Sequence, residues 1–299
     1  MPKRFEGAYT ALVTPFRDEP GQPIDWEALD ALVDAQIAGG VSGLVPCGTT
    51  GESPTLSHEE HAQVVEHTIK RAGRRTQVIA GAGSNSTREA IGLAQHAERA
   101  GADAVMVVVP YYNKPTQHGL YRHFVEVAAS VKVPVVVYNI PSRTGVDLAP
   151  GTLARICASA PNVVAVKEST GNVLRAQTLA YTMGDRIVVL SGDDGLSLPM
   201  IAVGARGVIS VTSNVLPAEV TRATKSALDG KLDEARRLHL ALMPVHEAMF
   251  LEANPGPVKA ALAMRGVMKA AVRSPLVAVE ESTRAALAAA LEAYAKSAR

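Results

Sequence analysis

Short apolar runs alternate along the chain with longer segments in which apolar positions recur every three to four residues. The short runs are strand candidates: YTALVTP (9–15), GLVP (43–46), QVIAGAG (77–83), AVMVVVP (104–110), PVVVYN (134–139), VVAVK (163–167), IVVLSG (187–192) and GVIS (207–210). Between them, helical spacing predicts helices over 25–38, 57–71, 86–100, 116–130, 149–159, 172–182, 196–203 and 216–229, with Asp25, Ser57, Ser86 and Thr116 placed as N-caps. Runs made almost entirely of Val, Ile and Leu suit parallel strands covered on both faces. Eight strand–helix units over residues 1–230 therefore predict an α/β fold, a closed (β/α)8 TIM barrel. An open doubly wound sheet competes with it, but GAGSNS (81–86) carries only the first two glycines of the dinucleotide fingerprint. From 231 to 299 the pattern changes to Ala/Leu-rich helices near 232–248, 257–265 and 282–297, a C-terminal helical appendage.

Composition removes several function classes. With 47% hydrophobic and 20% charged residues, the 299-residue chain is an ordinary globular protein. Thirty basic against twenty-nine acidic residues leave a net charge of +1, with no block of like charge, so neither nucleic acid nor membrane is expected as a partner. The N-terminal MPKRFEGAYT lacks the apolar stretch of a signal peptide, and no run is long enough to span a bilayer, which places the protein in the cytoplasm. Cys47 and Cys157 are too few for a disulfide framework or a cysteine-rich metal site and read as reduced thiols.

Catalytic groups of such barrels sit at the C-terminal ends of strands and on the loops that follow. Lys167 ends the sixth run, Tyr138 and Asn139 the fifth; CGTTGES (47–53), YYNKP (111–115) and SGDD (191–194) follow the second, fourth and seventh. Period-two alternation puts Val163, Ala165 and Lys167 on one face, with Glu168 on the other, so the lysine points inward beside Tyr138. A lysine amine in apolar surroundings is a nucleophile in its neutral form and condenses with a carbonyl to a Schiff base. Taken alone, Lys167 reads more readily as a lysine that snorkels to the rim or pairs with a carboxylate, and its neighbours change that balance. The turn CGTTGE offers successive backbone N–H groups and two hydroxyls to a small anion such as a carboxylate, or is a loop whose threonines satisfy local backbone. HEEH (58–61) spaces its histidines three apart, where the zinc protease pattern needs four, and reads as a solvated helix face; no metal is expected. Tyr111 and Tyr112 are aromatic packing at a loop or phenols able to relay protons. Cys47 has no local histidine partner and reads as a small packed thiol.

GTTGESPTLSHEEH (48–61), PYYNKPTQHGLYRHF (110–124), VYNIPSRTG (137–145), VAVKEST (164–170), LSGDD (190–194) and GVISVTSN (207–214) together resemble the pyruvate-dependent class I aldolase superfamily, and within it the dihydrodipicolinate synthase family. The resemblance runs from about residue 5 through the C-terminal helices. It implies a lyase without cofactor that condenses pyruvate with L-aspartate 4-semialdehyde to 4-hydroxy-tetrahydrodipicolinate, on the diaminopimelate route to L-lysine. In that reading Lys167 forms the Schiff base, Thr49 and Thr50 hold the pyruvate carboxylate, and Tyr138 shuttles protons. Tyr138 would be linked through Thr50 to Tyr112, which reaches in from a neighbouring subunit of a homotetramer built as a dimer of dimers. Arg143 would bind the semialdehyde carboxylate, and Gly192 and the Ile209 carbonyl would line the pyruvate pocket. The resemblance also implies an L-lysine inhibitor site at Pro54, His58, His61, Asn85, Glu89 and Tyr111, with Glu89 meeting the ammonium. Other readings make different demands. A pyruvate lyase for a sugar acid shares Lys167 and Tyr138 but needs no arginine at 143. A metal-dependent aldolase needs a His/Asp/Glu cluster, and an oxo-acid binding protein needs the pocket without the proton relay.

Overall fold

In the computed structural model, which describes residues 5–297, the apolar runs form eight parallel strands. These are β1 (Gly7–Ala11), β2 (Gly43–Val45), β3 (Gln77–Gly81), β4 (Ala104–Val108), β5 (Val135–Asn139), β6 (Val163–Glu168), β7 (Val188–Ser191) and β8 (Gly207–Ser210). They pair in chain order, and β8 closes on β1. The closed (β/α)8 barrel predicted from the sequence is the fold; the outermost ends of the two predicted regions, residues 1–4 and 298–299, lie outside the described residues.

The helices are α1 (Trp26–Ala38), α2 (His58–Ala72), α3 (Thr87–Ala100), α4 (Gln117–Ala129), α5 (Pro141–Thr144), α6 (Pro150–Ser159), α7 (Val173–Met183), α8 (Ser197–Ala202) and α9 (Pro217–Leu228), followed by α10 (Leu232–Ala248), α11 (Gly256–Met264) and α12 (Glu281–Ser297). Asp25 and Thr116 cap α1 and α4 through their side chains, and Ser57 forms a reciprocal capping box with Glu60 at the start of α2. Ser86 makes no such side-chain cap; its backbone N–H donates to the Ser84 hydroxyl at 3.0 Å. The one-turn α5 was not foreseen; four residues are too few to show a helical period.

Two strand expectations change in a useful way. The first run was expected over 9–15, yet pairing covers Gly7–Ala11. Its remainder is buried and bonded to loops instead: Val13 N–H donates to Asn214 Oδ1 at 3.1 Å and the Thr14 hydroxyl to the Gly51 carbonyl at 2.7 Å. An apolar run reports burial, which loops over a barrel mouth share with its strands. In β6 the register against β5 shifts between Val163 and Ala165, so Val164 is the extra residue of a bulge. Val163 consequently packs in the outer layer and not on the face of Ala165, while Ala165 stays inside with Tyr9, Ile79, Met106, Tyr138, Leu190 and Ile209. Beyond the bulge the alternation is intact: Lys167 follows Ala165 inward, and Glu168 turns outward.

The C-terminal helices are stitched to the barrel. The helix α10 packs on α9 and α12, and α12 on α11. The segment Gly256–Leu262 of α11 is buried throughout. Among the described residues no helix is long and apolar enough to cross a membrane.

Candidate active site

Lys167 is 6% exposed, and its Nζ lies 4.2 Å from the centroid of the Tyr138 ring on the adjacent strand. Among the described residues no carboxylate or other acceptor pairs with this amine. The neighbouring carboxylate is committed elsewhere: Glu168 accepts from Arg175 Nε at 3.1 Å, from Thr170 N–H at 2.8 Å and from Asn139 Nδ2 at 3.4 Å. The lack of a counter-ion distinguishes Lys167 from a structural ion pair such as Lys259–Glu52. Room for its stem comes from Gly192, where an added Cβ would stand 3.0 Å from Lys167 Cε and 1.8 Å from Ser169 Oγ. That Ser169 hydroxyl is itself buried and unpartnered beside the amine, a polar group the sequence reading did not single out.

The turn after β2 has a strained backbone with free donors. Cys47 and Glu52, at its two ends, hold left-handed backbone with φ of 55° and 53°, which non-glycine residues rarely adopt. Inside it, Gly51 N–H and Glu52 N–H bond the carbonyls of Gly48 and Thr49, both at 3.1 Å, and Ser53 N–H bonds Gly48 at 3.3 Å. The N–H groups of Thr49 and Thr50 have no acceptor among the described residues. Two adjacent unspent donors form a concave positive site of the kind that binds carboxylate or phosphate. Cys47 is a packed thiol, as expected: it is buried, its Sγ lies 3.7 Å from the His61 carbonyl, and burial pushes its pKa far up.

A cavity of about 490 Å³ opens at the ends of β2 to β5, and Thr49, Tyr138 and Arg143 all line it. Arg143 is exposed on α5, where Gly145 ends the helix with φ 71°. Ile209 is fully buried on the inner face of β8. Tyr138, Arg143 and Thr49 of the turn share this opening; Lys167 is not part of its lining and meets it through the Tyr138 ring.

The Dihydrodipicolinate synthetase family model matches residues 4–294. The chain belongs to this family. A 4-hydroxy-tetrahydrodipicolinate synthase of Sorangium cellulosum is 56% identical over 287 residues, covering 96% of this chain and 95% of the relative. Among solved structures, the chloride-inhibited dihydrodipicolinate synthase of Acinetobacter baumannii complexed with pyruvate superposes with TM-score 0.95 at 41% identity, over 98% of this chain and 99% of that one. The enzyme of Cyanidioschyzon merolae with lysine bound gives TM-score 0.94 at 37% identity, over 97% and 98%.

Within this synthetase-family chain, one expected contact does not form, that between Thr50 and Tyr138; the Tyr112 contact is expected from a neighbouring subunit. Tyr112 is 88% exposed with φ 70°, and no hydrogen bond joins Thr50 to it or to Tyr138 among the described residues. Thr50 is buried, and its Oγ1 accepts from Asn254 Nδ2 at 3.0 Å. Thr49 is the threonine on the cavity wall with Tyr138.

The residues expected to hold an inhibitor come together in the same cavity. Pro54, His58, His61, Glu89 and Tyr111 line it, and Asn85 lies beside them with its carbonyl accepting from Asn113 Nδ2 at 2.9 Å. Glu89 accepts from the Ser84 hydroxyl and lies 3.3 Å from His58 Nε2. His61 is buried; burial, helped by the charge of His96, takes its pKa down to about 4 and keeps it neutral. Burial, and after it the charge of Glu89, raises the Tyr111 phenol.

The sequence reading missed Asn254, Glu52, Lys259 and Arg273. Glu52, 1% exposed, pairs with the fully buried Lys259 of α11 and accepts from Arg273 N–H at 3.0 Å. Lys259 also donates to the Ala271 carbonyl at 2.9 Å and sits 4.1 Å from the Phe16 ring centroid. Burial lowers its pKa to about 8 against the opposing charge of Glu52. A lysine inside the apolar GPVKAALAM was the available signal, the same signal that singled out Lys167. Among the described residues no group of three or more His, Cys, Asp or Glu is placed to hold a metal ion.

Proposed function

We propose that the protein is a Schiff-base lyase that condenses pyruvate with L-aspartate 4-semialdehyde, without cofactor, as a cytoplasmic homotetramer. The observation that carries this reading is the unpaired, buried Lys167 amine against the Tyr138 ring. The amine adds to the pyruvate C2 carbonyl and water leaves, giving an iminium whose charge acidifies the methyl group. Loss of a methyl proton yields an enamine, and its carbon attacks the aldehyde. The amino group of the semialdehyde then displaces the lysine, closing the ring of 4-hydroxy-tetrahydrodipicolinate and freeing Lys167. Tyr138 moves the protons, with Thr49 on the same wall and Tyr112 supplied by a second copy. The Thr49–Thr50 turn holds the pyruvate carboxylate, and Gly192 and Ile209 bound that pocket. Arg143 receives the carboxylate of the semialdehyde, a demand that a sugar-acid lyase does not share. L-Lysine inhibits by occupying the part of the cavity around Glu89, His58 and Tyr111, where a carboxylate meets its ammonium. The pyruvate complex and the lysine complex of the two solved relatives support both ligands.

The test is borohydride trapping with pyruvate, read by intact mass and peptide mapping, beside a condensation assay run with and without millimolar L-lysine. A pyruvate-sized adduct on Lys167 that disappears in Lys167→Ala, with turnover of the semialdehyde suppressed by lysine, is expected. A folded protein that forms no adduct loses the Schiff-base reading. Turnover that lysine leaves unchanged removes the inhibitor site alone.

A further inference from the structure

The anion-binding turn is gripped from the far end of the chain. Asn254 Nδ2 donates to Thr50 Oγ1 at 3.0 Å across 204 positions of sequence, and both side chains are buried. Two residues on, Glu52 is held by Lys259 and by the backbone of Arg273. The Asn254 Oδ1 is buried and has no partner among the described residues, so the hydrogen bonding of this side chain is directed at Thr50 alone. A threonine hydroxyl has one proton and two lone pairs. An amide N–H that fills a lone pair leaves the O–H free to donate. The reverse arrangement, with the amide oxygen facing Thr50, would absorb that proton and present only lone pairs to an approaching carboxylate.

We propose that Asn254 is a positioning residue for substrate binding: its amide N–H fixes the polarity of the Thr50 hydroxyl, committing the Thr50 O–H to donate to the pyruvate carboxylate. The proposal rests on the reading of residues 47–52 as the pyruvate carboxylate site and adds the C-terminal region to that site's machinery. Asn254 touches no substrate; it acts through Thr50, beside the free N–H groups of Thr49 and Thr50.

The full-length enzyme is compared with Asn254→Ala, Asn254→Asp, Thr50→Val and the double variant Thr50→Val/Asn254→Ala. Readouts are kcat, the KM of each substrate, borohydride trapping and Tm. Loss of one hydrogen bond to a charged group predicts a rise of about 10-fold in pyruvate KM for Asn254→Ala, with semialdehyde KM within about 2-fold of wild type. Asn254→Asp has nearly the same shape but can only accept, so it captures the Thr50 proton, adds negative charge and raises pyruvate KM further. In the Thr50→Val background, Asn254→Ala adds less than about 2-fold, because the group it orients is gone. An Asn254→Asp enzyme with wild-type pyruvate KM overturns the proposal, since the amide oxygen must then face Thr50. Equal rises in both KM values, or additivity in the cycle, also overturn it, reducing Asn254 to a structural contact. Should Asn254→Ala not fold, Asn254→Asp decides alone. A wild-type enzyme that traps no pyruvate defeats the underlying site reading instead, whatever the variants do.

Discussion

A single methyl group separates a usable Lys167 from a displaced one. The Cβ of Gly192→Ala would fall 1.8 Å from Ser169 Oγ and 3.0 Å from Lys167 Cε. The serine hydroxyl can rotate away, but the lysine stem is confined by the Tyr138 ring and must move. Misplacing a reacting atom by an ångström costs about 100-fold in rate, and the few tenths needed here cost correspondingly less. Gly192→Ala is therefore expected to keep Tm within a few degrees while kcat/KM falls about 10-fold, measured by steady-state assay beside thermal unfolding. Legibility at this scale was uneven. Lys167 stood out because a lysine closing an all-Val/Ala run needs an explanation, and Tyr138 followed from strand adjacency. Lys259 carried the same anomaly within GPVKAALAM, but no neighbour in sequence supplied its partner. Glu52 lies more than two hundred positions away, so its role as a counter-ion is visible only once the chain is folded.

Among elements, the turn over 47–52 depends most on others. Its left-handed Glu52 backbone, a conformation that costs on the order of 1–3 kcal/mol, is held by a buried ion pair to α11. Removing one partner leaves a buried charge uncompensated, which typically destabilises by roughly 3–5 kcal/mol. Lys259→Met is expected to lose stability in that range by urea denaturation, and Lys259→Met/Glu52→Gln to recover part of it. An additive double variant would show that Glu52 and Lys259 stand independently. Element positions themselves were largely readable, since strands and helices write their periods locally. The bulge at Val164 was not, because an extra residue is defined only against the partner strand, and period-two counting placed Val163 on the wrong face.

Over the whole molecule, four histidines are buried in the folded chain: His61, His123, His239 and His246. Burial lowers the pKa of all four, to about 4 for His61 and His123. The folded pKa lies below the ordinary value of about 6.5, so between these limits the unfolded chain binds more protons. Stability is therefore full above about pH 6.5 and falls as the pH drops toward about 4. At pH 5 the loss is roughly 2 kcal/mol for each of His61 and His123. Denaturant midpoints at pH 7.5 and pH 5 check this, and His123→Phe is expected to reduce the difference; equal midpoints would contradict it.

The sequence by itself determined the barrel, the inward lysine, the neighbouring tyrosine and the place of the turn at the end of β2. All of these follow from short-range period and from residue types placed at strand ends. Only the tertiary structure decided that Thr50 accepts from Asn254, that Thr49 lines the cavity, and that Tyr112 is exposed on its own chain. It also decided that Glu52 is clamped by α11. The physical reason is range: hydrophobic periodicity is written within a few residues, whereas the partner of a buried polar group is whatever the fold brings to it from any distance along the chain.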